Sequence, residues 1–332
     1  MIVIAGDVGG TKSLLAAMEL KAGAAPKTLV EERYPSASFK VFSDMILEFM
    51  KKVPGKVEYA GLGVAGAVVN GHCRGTNIPW ELDESEIRQR AGLSGVRIVN
   101  DFAATARGVR KLTAQDQVTL QAGEAEEKGS IGILGAGTGL GEAFLVWGAS
   151  GFEVISTEAG HADFGARTDE EIELLKFVRA KFGRCSYERI LSGPGIGNIY
   201  EYVKHRSPER ESPAVAAAVA AGDPAAAVSE YDQRGDALCG EALNLFVQIY
   251  GAEAGNVALR GVTTGGVYLA GGIAPRMVQR FQTSRFLDAF HDKGRHRVLV
   301  EKVPVHLITN THVGLLGAMA VAEELAEKGG VS

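Results

Sequence analysis

Two stretches of the sequence combine glycine and threonine in a way that suits phosphate. "GDVGGTKS" places Gly6, Asp7, Gly9, Gly10 and Thr11 directly after the apolar run "IVIA", and "GAGTGLG" places Gly137, Thr138 and Gly139 after "SIGIL". Close-spaced glycines let backbone N–H groups converge on an anion, and the threonine hydroxyls add donors. Two such turns could grip a polyphosphate from both sides, although either one alone could equally be a plain tight hairpin. A carboxylate beside bound phosphates is unfavourable unless a cation lies between them, so Asp7 points to Mg²⁺.

A second set of residues could move protons or form hydrogen bonds. "VRIVNDF" is an apolar strand ending in Asn100 and Asp101, and "AATARGV" after it reads as the start of a helix. Side chains at the carboxyl end of a strand in an open α/β sheet point toward the ligand crevice, which suits a catalytic acid or base. The same aspartate could instead cap the helix. "TEAGHADFG" brings Glu158 and His161 together at a spacing of three, and Glu188 follows in "SYERILSGPG". Carboxylate and imidazole both suit polar ligands, but Glu188 could also be an exposed residue paired with Arg184 or Arg189. "GGVYLAGGIAPR" runs from a strand into the pair Gly271 and Gly272, a bend where a flat ring could lie against backbone.

The elements that must position these groups follow from the pattern. The first turn differs by one residue from a P-loop, because Thr11 stands where G-x-x-x-x-G-K-[ST] needs glycine. A P-loop would also need a helix directly after Lys12. Local propensity leaves Leu14 to Leu20 undecided, but the second copy continues into "AFLVW", whose aromatic and branched residues favour a strand. Both stretches are therefore expected to be β-hairpins, each heading a domain. "SPAVAAAVAAGDPAAAVSEY" reads as an Ala-rich structural helix pair broken at Gly222, and Leu238 to Ile249 as one face of a core helix.

A chain of 332 residues is long enough for two cores, and 46% hydrophobic with 23% charged residues is an ordinary globular composition. A net charge of -5 with no concentrated Lys/Arg run disfavours nucleic acid as a partner. No run approaches the ~20 apolar residues of a membrane span, and the N-terminus lacks a basic leader, so a cytoplasmic location is expected. Cys73, Cys185 and Cys239 are widely spaced without a C-x-x-C pair and read as reduced packing residues.

These motifs in this order, with "RIVNDFAATARG" and the C-terminal "THVGLLGAMAVA", resemble the bacterial ATP-dependent glucokinases of the sugar kinase, actin and Hsp70 superfamily. The resemblance covers almost the whole chain. It implies two related actin-like (ribonuclease H-like) α/β domains with a cleft between them: residues 1–111 with 311–332, and residues 112–310. It implies MgATP-dependent phosphorylation of glucose, with Asp101 as general base and Asn100, Asp101, Glu158, His161 and Glu188 on the sugar. ATP then lies on both phosphate turns, with its adenosine at Gly271 and Gly272, and a homodimer is plausible. Related kinases and repressors carry zinc on a histidine followed by a cysteine cluster. Only Cys185 follows His161 closely here, so no zinc is expected. Lys12 departs from the asparagine common in the family, and its ammonium is expected in water. The alternatives are a kinase for another hexose or amino sugar, or a non-catalytic sugar sensor with an actin-like ATPase fold. A sensor would be expected to add a DNA-binding segment, for which the five residues before Gly6 leave no room.

Overall fold

The apolar run after Met1 forms strand β1, Ile2–Val8, and the chain turns back at Gly9 to Thr11 into β2, Lys12–Glu19, antiparallel to it. The lysine is thus followed by a strand, which excludes the P-loop. β1 alternates between two covered faces, as the period of two in a strand requires. Ile4 and Val8 join a core with Phe42, Ile46 and Phe49 of the helix Phe42–Met50. Val3 and Ala5 pack with Leu315, Ala318 and Met319 of the C-terminal helix Val313–Gly329. The computed structural model describes residues 1–21, 23–74, 78–149 and 151–329.

Contacts divide the chain into two units, Met1–Gln115 with Asn310–Ser332, and Asp116–Thr309. In the first, β3 (Lys27–Pro35) pairs with β2, while β4 (Val57–Val64) runs parallel to β1. The short strands β5 (Val68–Val69), β6 (His72–Arg74) and β7 (Glu81–Asp83) form a separate small sheet, and β8 (Gly95–Asn100) closes the main one. The main sheet has the order β3-β2-β1-β4-β8. Helix Asp101–Val109 follows β8 and crosses the C-terminal helix at backbone contact. A Cβ on Gly317 would lie 1.6 Å from the Ala104 carbonyl oxygen, and one on Gly108 would lie 2.0 Å from that of Val313.

The second unit repeats the plan. β9 (Gln117–Gln121) is an edge strand, and β10 (Ile131–Ala136) and β11 (Leu140–Gly148) form the second hairpin. With β12 (Gly151–Thr157), β13 (Gly266–Ala270) and β14 (Val305–Ile308), the order is β12-β11-β10-β13-β14-β9. In each sheet the first hairpin strand is central, antiparallel to its hairpin partner and parallel to the strand on its other side. The core of this unit centres on the helix Ala237–Gly261, which buries Phe246, Ile249 and Tyr250 among others. The Ala-rich segment forms the helices Pro213–Ala220 and Pro224–Gln233, capped by Ser212 and Asp223. Among the described residues, no helix is long and apolar enough to cross a membrane.

Candidate active site

The first phosphate turn is held in shape by one serine. Gly9 N–H donates to Lys12 O at 3.1 Å, Ser36 Oγ donates to Gly9 O at 2.7 Å, and Ser36 N–H donates to Thr11 O at 3.0 Å. Gly10 and Thr11 form the tip, and Lys12 is exposed at the start of β2. Gly6 has a different role from the other glycines. It is buried inside β1, and a Cβ there would come within 2.7 Å of Leu62 Cδ2, so packing accounts for it.

The cap of the helix after β8 falls to Asn100, not to Asp101. Asn100 is the cap: its Oδ1 accepts from Phe102 N at 2.9 Å and Ala103 N at 3.2 Å, while its Nδ2 donates to Gly66 O at 3.1 Å. The amide is largely committed to fixing the strand-to-helix junction. Asp101 is the first helical residue, half-buried, with Oδ1 accepting from Phe102 N at 2.8 Å. Burial pushes its carboxyl up to about 6, and the charge of Asp7 adds to this, against the stabilising Phe102 N–H. Burial also raises Asp7, opposed by the electrostatic influence of His312 and Arg33. Two carboxylates that repel each other in a partly desolvated place favour a hard cation with oxygen ligands. They fit Mg²⁺ arriving with a nucleotide whose phosphates complete the shell. Among the described residues, no group of three or more His, Cys, Asp or Glu forms a metal cage.

The second turn is tied to the other candidate carboxylates. Gly137 N–H donates to Gly139 O and Gly193 N–H donates to Gly137 O, both at 2.8 Å. Leu140 N–H donates to Glu188 Oε2 at 3.0 Å, and a Cβ on Gly139 would sit 2.5 Å from the same oxygen. Glu188 lies in the 3₁₀ turn Tyr187–Arg189, with its other oxygen 3.8 Å from His161 Nδ1. It pairs with neither arginine; Arg184 binds Asp163 and the His161 carbonyl. Glu158 precedes the 3₁₀ turn Ala159–His161 and His161 is its last residue, both exposed, and Thr157 anchors that turn by donating from Oγ1 to Glu142 O at 2.8 Å. Glu188, His161 and the second phosphate turn therefore form one cluster. Asn100 and Asp101 belong to the first unit.

Gly271 has φ +85, and a Cβ there would lie 2.3 Å from Ala136 O, so only glycine lets this bend press on the phosphate hairpin. Nothing lies within 4 Å of where a Gly272 Cβ would be. Gly272 opens on a cavity of about 810 Å³ bounded by Gly137 and Thr138, the start of helix Gly193–Arg206, and the segment Gly222 to Ala226. That volume, with a glycine-rich wall beside both apolar and polar side chains, fits a nucleotide. Several lining residues escaped the sequence reading: Asp223, Gln233, Arg276 and Lys181. Gly222, Asp223 and Pro224 were legible as a helix break, but not as a cavity wall.

The glucokinase family model matches residues 4–325. The glucokinase of Nostoc sp. is 40% identical over 340 residues, covering 98% of this chain and 99% of that protein. The glucokinase of Synechocystis sp. is 38% identical, covering 97% and 98%. A crystal structure of glucokinase from an Antarctic psychrotroph superposes with a TM-score of 0.86 at 30% identity, over 97% of this chain and 99% of that one. A glucokinase from Streptomyces griseus, solved with glucose and AMPPNP, shares the fold at a TM-score of 0.64 and 19% identity. Sequence, fold and the paired phosphate hairpins agree: the chain belongs to the glucokinase family.

Proposed function

We propose that the protein transfers the γ-phosphoryl group of ATP to the 6-hydroxyl of D-glucose, giving ADP and glucose 6-phosphate, with Asp101 as general base. The observation that carries this reading is Asp101 itself, fixed at the end of β8 by the Asn100 cap, with its carboxyl held near 6 by burial. At neutral pH that carboxylate is ionised, yet more basic than an exposed aspartate. The hydroxyl oxygen forms a bond to the γ-phosphorus as the bond to the bridging oxygen of ADP breaks. The hydroxyl proton passes to Asp101. Glu158, His161 and Glu188 hold sugar hydroxyls, together with Asn100 beside Asp101. Gly9, Gly10 and Thr11, with Gly137, Thr138 and Gly139, contact the phosphates, and the base and ribose occupy the cavity beside Gly272. Mg²⁺ near Asp7 would neutralise the β- and γ-phosphoryl oxygens when bound.

ADP release, coupled to a reporter enzyme, should be measured over a panel of sugars and phosphoryl donors, with and without a divalent-metal chelator. Glucose with ATP and Mg²⁺ should give the highest kcat/KM, and chelation should abolish turnover. A higher kcat/KM for mannose or an amino sugar would replace the substrate in this reading, and sugar-independent ADP release would remove it.

A further inference from the structure

Between β11 and the helix Ala237–Gly261 lie two carboxylates sealed from solvent. Glu142 is 2% exposed and Glu253 is 0% exposed. Both accept from the same guanidinium nitrogen, Arg260 Nη1, at 3.3 Å in the case of Glu142. Asn256 Nδ2 donates to Glu253 Oε2 at 2.8 Å and to the Tyr187 hydroxyl at 3.1 Å. Two buried anions on one arginine leave an uncompensated charge, which is costly in a low-dielectric interior. Glu142 Oε1 is moreover buried with no hydrogen-bond partner among the described residues. One proton held between the two carboxyl groups removes both difficulties. Consistent with this, burial and then the Glu253 charge push Glu142 up to about 8.

The pair reaches the sugar-side turns through Tyr187. Its hydroxyl accepts from Asn256 Nδ2, the same nitrogen that donates to Glu253, and lies against Gly165. Its ring meets Phe164 edge-on at 5.6 Å, and its N–H donates to Ala162 O at 3.0 Å. The next residue is Glu188. We propose that Glu142 and Glu253 share a single proton and, through Tyr187, set the position of the turn that carries Glu188, making them positioning residues for sugar binding. The inference rests on the reading of Glu188 and His161 as sugar ligands.

The charged and titratable groups facing the pair are Arg260 and Tyr250 from the long helix, Tyr187 from the turn, and Lys293 beside Glu253. Arg167, Glu171 and Asp292 surround Lys293 in turn. Burial lowers Lys293 to about 8, so it changes charge over the same range and must be separated by mutation.

The test is the glucose KM as a function of pH, with the ATP KM as internal control and calorimetry for glucose binding. In the unmodified protein, loss of the shared proton should raise the glucose KM about tenfold between roughly pH 7 and pH 9, with the ATP KM unchanged. Glu142→Gln keeps the shape and donor of the protonated acid and cannot lose it, so its glucose KM should stay flat. Tyr187→Phe leaves the buried pair intact but cuts its route, and should raise the neutral-pH glucose KM about threefold or more while flattening the profile. An alkaline rise that persists in Glu142→Gln assigns the titration to Lys293 and overturns the proposal, as does a Tyr187→Phe profile identical to that of the unmodified protein. Absence of glucose binding to the unmodified protein at neutral pH overturns the glucokinase reading as well, which the calorimetry distinguishes from failure of this inference alone.

Discussion

Asp101 illustrates a conflict between stability and chemistry that can be measured at one residue. Its carboxyl is raised from 3.8 to about 6 in the folded chain, chiefly by burial. Between those values the folded state keeps a proton that the unfolded state has released. The stabilisation is therefore full below the unfolded value and lost as pH rises through about 6, which at neutral pH costs the fold on the order of 2–3 kcal/mol. Asp101→Asn removes that cost. Its thermal midpoint should exceed that of the unmodified protein at neutral pH, with the difference vanishing at about pH 3. An equal or lower midpoint at neutral pH would refute the desolvation argument. Turnover should move the other way, with kcat falling ~10² to 10⁴-fold while glucose still binds by calorimetry. In the unmodified enzyme, kcat/KM should decline below about pH 6, as the base becomes protonated. A flat rate profile down to about pH 5 would give the proton to another group.

At the scale of elements, the proposed base depends on a helix junction built on close backbone approach, with the Arg107–Glu324 ion pair beside it. The helix Asp101–Val109 is located by its crossing with the C-terminal helix, where Gly317 faces the Ala104 carbonyl and Gly108 faces that of Val313. Gly61 in β4 completes the contact, since a Cβ there would lie 2.0 Å from Ala318 O. These clashes would be with backbone, which cannot rotate away as a side chain can. Gly317→Ala should therefore displace one helix, costing about 1–3 kcal/mol of stability and carrying Asp101 off its position. The expected signature is a kcat loss of about tenfold or more with little change in the ATP KM, because the cavity beside Gly272 lies in the other unit. A normal kcat in this variant would show that the helix start tolerates the shift.

Both units of the molecule build their main sheet around a hairpin whose first strand lies inside the sheet, antiparallel to one neighbour and parallel to the other. In the proposed reaction the first unit supplies the acid–base group, and the second supplies the sugar-reading side chains and the nucleotide cavity. Because a bound ligand stabilises the folded state by mass action, glucose at about 100 times its Kd should raise stability by ~2.7 kcal/mol. Mannose at the same concentration should raise the thermal midpoint less, because inverting the hydroxyl at carbon 2 leaves Glu158 or His161 poorly paired. That mismatch costs on the order of 1–3 kcal/mol, or at least about tenfold in kcat/KM. Glu158→Gln should narrow the gap between the two sugars. Equal midpoint shifts and equal kcat/KM for glucose and mannose would rule out this recognition scheme.

The sequence by itself determined the features that neighbours along the chain encode. Both phosphate hairpins, the strand that ends at Asn100 and Asp101, the helix break at Gly222 and the family resemblance all lie in runs of a dozen residues or so, where apolar period and glycine placement are legible. The tertiary structure decided what each of those features touches. Asn100 rather than Asp101 caps the helix, because the strand direction at β8 leaves the amide over the first N–H groups. Gly6 serves packing while Gly272 faces a cavity, a difference set by what lies across each glycine and invisible in their spelling. Glu142 and Glu253 belong to no motif in the sequence, since the period of a strand or helix tells which residues share a face, not what covers that face. Only the packing of β11 on the long helix buries both against one arginine, and a charge acquires its cost from the medium around it.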